Sequence, residues 1–190
     1  MTSELSHKDW IGKASAIRFR DKAFIDGKAV PARSGRTFAS INPATGETLA
    51  EVASCGEEDI DLAVAAARRS FEAGVWSRTS PQHRKQVLLR LAELLRENLQ
   101  ELALLESLDM GKLVKDAATI DVPGSAAIFQ WYAEAIDKVY DEVAPTGHGD
   151  LALVRREPLG VVGASCRGIS RSTWRPGNAR RRWRPAIRWC

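Results

Sequence analysis

The sequence is poor in the residues that mark several functional classes. It has only three cysteines, Cys55, Cys166 and Cys190, and no CxxC pair. That pattern excludes a disulfide framework and gives no reason to place the chain in an oxidising compartment. The three histidines, His7, His83 and His148, are spaced too irregularly for a metal site. No apolar run reaches the ~20 residues that span a bilayer, and the first residues lack the basic-then-apolar order of a signal peptide. The expectation is a cytoplasmic chain with no membrane partner.

A second absence is local. Residues 165–190 contain no Asp, Glu, Lys, Leu or Val, yet hold eight arginines and three of the six tryptophans. The net charge of +4 therefore leaves +4 − 8 = −4 for residues 1–164. Composition breaks after Ala164. Before it, the chain has the apolar and charged content of a soluble globular domain, with length enough for a real core.

What is present reads as α/β. Residues 1–21 are polar and weakly patterned, a leader segment. AFIDGKAV at 23–30 sets two apolar runs around Asp26-Gly27, a hairpin signal because both turn residues must accept positive φ. Strands are expected at 37–41 and 48–53, joined by a turn containing Pro43 and Gly46, so that the chain opens as a small β-meander. Ile60, Ala63, Val64, Ala67 and Phe71 form one helical stripe after Gly56. Ser80-Pro81 opens a second helix, carried by Leu88, Leu91, Leu95, Leu99, Leu102 and Leu105 to Gly111. A third follows Pro123, with Ile128, Trp131, Tyr132, Ala135, Ile136 and Val139 on one side. A short strand at 151–154 precedes the apolar run 159–164, which suits the first buried strand of a doubly wound parallel sheet.

Five pieces, FIDG (24–27), INPATGE (41–47), the 59–67 helix, LDMGK (108–112) and REPLGVVGA (156–164), stand in an order and spacing that resembles the aldehyde dehydrogenase superfamily. The stretch WYAEAIDKVYDEVA (131–144) looks most like the γ-glutamyl-γ-aminobutyraldehyde dehydrogenase branch, which serves putrescine breakdown. The resemblance makes residues 22–164 the amino-terminal part of an NAD(P)-binding domain. It implies aldehyde oxidation in which a cysteine thiolate attacks the carbonyl and hydride passes to NAD or NADP. A glutamate-activated water then hydrolyses the thioester, with an asparagine in Pro-Trp-Asn-Phe-Pro stabilising the oxyanion. None of those residues is in this chain, so no catalytic or cofactor-binding residue is assigned and no cofactor is expected to bind the fragment. The resemblance also points to a monovalent cation held by the Asp109 carboxylate and a backbone carbonyl near Ile41. An acidic residue near a helix end is the alternative reading of Asp109. Cys55 matches no catalytic motif and reads as packing; Lys112, Arg155 and Arg156 read as solvated charges.

Residues 165–190 have two competing origins. An evolved Arg/Trp segment would bind nucleic acid or a membrane surface. Alternatively, they are dehydrogenase DNA read out of frame. Ser-Cys-Arg-Gly-Ile-Ser-Arg, written TCG TGC CGT GGA ATT TCC CGC and preceded by one G, regroups to Val-Val-Pro-Trp-Asn-Phe-Pro. With synonymous codons chosen freely, the exercise continues through Trp189, and the family's Val-Val-Leu-Lys becomes Trp-Cys-stop in the shifted frame. The frameshift reading is preferred, with nucleic-acid or membrane-surface binding through residues 165–190 the runner-up and association with full-length homologues a third reading.

Overall fold

A computed structural model describes residues 5–164. The first element lies in the segment read as a leader. Helix α1 (His7–Ala16) starts at a reciprocal cap: the Asp9 amide donates to Ser6 Oγ, and the Ser6 amide donates to the Asp9 carboxylate. Ser-x-x-Asp is the signal that the polar composition obscured, since it satisfies amides that a helix start otherwise leaves open. α1 packs against α4, so this part of the leader is docked.

The expected meander is instead two separate hairpins. β1 (Ala23–Ile25) pairs with β2 (Lys28–Val30), and β3 (Thr37–Ile41) with β4 (Thr48–Ala53), each pair antiparallel and in its own sheet. Asp26 (φ 52°) and Gly27 (φ 74°) turn the first, as the Asp-Gly signal requires. The chain leaves β2 through Pro31, which has no amide to extend a ladder. Asp59 then captures the Arg33 amide at 2.9 Å and holds the connection against the start of α2 (Glu57–Ala73). The same carboxylate accepts from the Gly56 amide at 2.9 Å, so one buried side chain caps α2 and fixes the loop.

The long leucine helix divides in two. α3 (Pro81–Glu97) and α4 (Leu99–Met110) break at Asn98, whose amide and side-chain Nδ2 both donate to the Leu94 carbonyl. A side chain competing for that carbonyl is how Asn interrupts a helix. The third helix begins earlier than Pro123. It runs from α5 (Val114–Asp116) through a π-turn (Ala117–Asp121) into α6 (Val122–Ala135). The Val122 amide reaches back to the Ala117 carbonyl, the longer π spacing, immediately before Pro123, which has no amide to give.

Helix α6 presents a different face from the one its aromatics suggest. Val122, Ser125, Ala126 and Ala133 are buried, whereas Trp131 and Tyr132 are exposed and stack edge-to-face at 4.9 Å. Ala92 of α3 and Ala126 and Ala133 of α6 are fully buried, small residues that suit a close α3–α6 approach. The core proper joins Ala103, Ala117 and Val122, with Leu99, Leu102, Val114 and Ala118 packed on it.

Beyond α6 a third hairpin, β5 (Glu142–Ala144) with β6 (Ala152–Val154), contains the expected short strand. Its partner strand carried no clear sequence signal. The apolar run 159–164 pairs with no strand among the described residues, and Gly160 turns the backbone at φ 91°. A buried parallel strand needs neighbours on both edges, and the described residues supply none. Leu159 is accordingly 93% exposed. The α/β class stands; the parallel sheet is not built within the described residues. Among those residues, no helix is long and apolar enough to cross a membrane.

Lys112 is paired with the buried Asp121 across the π-turn rather than solvated. Replacing Lys112 with Ala strands that carboxylate, at a cost of about 3 kcal/mol. Amides of α4 and the π-turn are then expected to exchange with deuterium roughly 100-fold faster, with Lys112→Arg retaining most protection. Unchanged exchange in Lys112→Ala would mean the pair holds nothing.

Two carboxylates set an acid limit. Amides of Gly56 and Arg33 hold the Asp59 pKa below its usual 3.8, and Lys85, with Lys138, brings Asp137 down to about 2. A folded pKa below the unfolded one stabilises fully above the unfolded value and is lost as pH falls through the folded value. Protection of the Arg33 and Gly56 amides should therefore hold near about pH 5 and fall on acidification through the lowered Asp59 pKa. In Asp59→Asn it should already be weak at the higher pH, with no further acid step.

Candidate functional site

Asp109, one of the two residues singled out for a cation, reaches β3 from the end of α4. Gly111 closes that helix at φ 73°, its amide donating to the Ser107 carbonyl at 2.9 Å. A Cβ on Gly111 would stand 2.6 Å from Pro43 Cγ, so only glycine permits so close a docking of α4 on the β3–β4 turn. Ser107 Oγ donates to the Lys112 carbonyl at 2.7 Å and fixes the chain as it leaves the helix.

This docking brings Asp109 to the end of β3. Ser40 Oγ donates to Asp109 Oδ1 at 2.7 Å. Ile41 is the next residue, and the register slips between the two: Ser40 faces Ala50, whereas Ile41 faces Thr48. A slip of this kind locally disrupts the ladder and re-aims the backbone. The turn beyond is held by Asn42, whose amide donates to the Glu47 carbonyl, whose carbonyl accepts from Gly46, and whose side chain accepts from the Ala44 amide. Asp109 thus comes beside Ser40, the neighbour of Ile41 at the end of β3. Ser40 was not singled out by sequence, because a serine in a strand carries no signal of its own.

The other candidates stay apart. His7, His83 and His148 are exposed, on α1, on α3 and in the turn before β6. Cys55 is half-buried between β4 and α2. Among the described residues no three His, Cys, Asp or Glu side chains gather as a metal cluster. Arg156 is fastened rather than free: its guanidinium donates to the Tyr140 carbonyl and to Glu142 Oε1 (2.6 Å), and its amide donates to Asp141 (3.0 Å). It closes the base of the β5–β6 hairpin. Cys166, Cys190 and the arginine-rich segment lie outside the described residues.

A dinucleotide would need open amides at a helix start, ideally on a glycine turn. In α1 and α3 a serine oxygen already takes an amide, from Asp9 and His83, and in α2 Asp59 takes that of Gly56. Glu57, Glu58 and Asp59 also place negative charge at the start of α2. Each of these three starts is thus capped by a side chain of the protein itself.

The sequence pattern of the aldehyde dehydrogenase family matches residues 30–165. The chain belongs to that family. Aminoacetaldehyde dehydrogenase of Pseudomonas aeruginosa is 52% identical over 163 residues, 86% of this chain and 33% of its own length. The NADP/NAD-dependent aldehyde dehydrogenase PuuC of Escherichia coli is 46% identical over 82% of this chain and 31% of its own. Among solved structures, γ-glutamyl-γ-aminobutyraldehyde dehydrogenase from Burkholderia cenocepacia superposes with a TM-score of 0.81 at 54% identity, covering 83% of this chain and 32% of that one. An indole-3-acetaldehyde dehydrogenase solved with NAD+ matches equally well, TM-score 0.81 at 49% identity. The chain spans about a third of the length of the relatives it matches. What it shares with these aldehyde dehydrogenases is an amino-terminal scaffold about a third of their length.

The corner makes a ranked prediction. Gly111→Ala meets both a strained φ and Pro43, whereas Ser40→Ala loses one hydrogen bond, about 1 kcal/mol. Protease cleavage within the 42–47 turn should accelerate in both variants and more in Gly111→Ala. Equal rates in all three proteins would show that α4 does not hold the turn.

Proposed function

We propose that this chain is the amino-terminal part of an NAD(P)-dependent aldehyde dehydrogenase for amino-substituted aldehydes, γ-glutamyl-γ-aminobutyraldehyde in putrescine breakdown foremost, and that the chain is itself inactive. The observation that carries the reading is the 54% identity and shared fold with the γ-glutamyl-γ-aminobutyraldehyde dehydrogenase. The relative named for aminoacetaldehyde supports the same substrate class.

Inactivity follows from chemistry. Thioester formation needs a thiolate, an activated water and an oxyanion donor held together. The segment after Ala164 holds no Pro-Trp-Asn-Phe-Pro, and out-of-frame reading of dehydrogenase DNA accounts for its arginines and its lack of acids. In this reading the polypeptide resides in the cytoplasm, binds no NAD and leaves apolar surface uncovered.

Restoring one base near the Ala164 codon tests this directly. The repaired gene is expected to yield a dehydrogenase that reduces NAD(P) with γ-glutamyl-γ-aminobutyraldehyde; the chain as it stands should neither turn over nor bind NAD saturably in calorimetry. Saturable NAD binding by the present chain, or no dehydrogenase frame downstream in the gene, would overturn the reading. Salt-sensitive binding to nucleic acid that is lost on deleting residues 165–190 would instead favour an evolved basic segment, since phosphate contacts weaken with salt.

The Asp109 corner is proposed to hold a monovalent cation in the intact enzyme, using the carboxylate and the Ile41 carbonyl. Potassium should raise the melting temperature of the repaired enzyme, and Asp109→Asn should abolish the increment. An increment that survives in Asp109→Asn places the cation elsewhere.

A further inference from the structure

We draw no further inference here: the strongest candidate, the open cleft between the end of α2, the start of α3 and residues 155–158, has two of its four arginines engaged, Arg84 by the Thr79 carbonyl and Arg156 by Glu142, with Arg78 and Arg155 set against Glu72 and Glu157, and nothing in the structure shows what covers it.

Discussion

Gly111 ends α4 in a backbone conformation that side-chain-bearing residues rarely adopt, with Pro43 where a Cβ would stand. That single close approach locks the helical part of the chain to the β3–β4 hairpin. It places Asp109 within reach of Ser40, and it sends the chain out through Lys112, which pairs with Asp121 beyond the next turn. Polar contacts that join three elements thus follow from one residue's lack of a side chain.

The core around this joint is built from small residues. Its largest fully buried side chain is Val122, and alanines occupy most other buried positions. Such a core brings helices close but removes little apolar area from water, and apolar area is the main favourable contribution to folding. Leu151, Leu153, Val143 and Leu159 meanwhile remain exposed around the third hairpin and the segment after it. A two-stranded hairpin is marginal in water without a further layer. The described residues therefore leave apolar surface uncovered around this hairpin.

Local signals were the legible part. Asp26-Gly27, Ser80-Pro81 and the stripe from Ile60 to Phe71 each mark an element that the structure contains, because turn and cap chemistry act over a few residues. The same chemistry was present, and overlooked, at Ser6 and Asp9, where polar composition drew attention from the cap. At Asn98, helical periodicity runs through a position whose hydrogen bonds break the helix, and ahead of Pro123 the helix starts in residues that carry no clear start signal. The buried residues of α6 include alanines and not its large aromatics, which the pattern alone does not reveal. Periodicity marks which residues share a side, not which side meets a neighbour.

The sequence by itself determined the family, the local elements and the compositional break after Ala164. These rest on residue identity, turn stereochemistry and motif order, none of which needs a distant contact. Only the tertiary structure decided which hairpins pair, that Asp109 meets Ser40 beside Ile41, and that Lys112 serves Asp121. Those outcomes depend on close approach between segments far apart in the chain, which burial and steric fit select and no local pattern encodes.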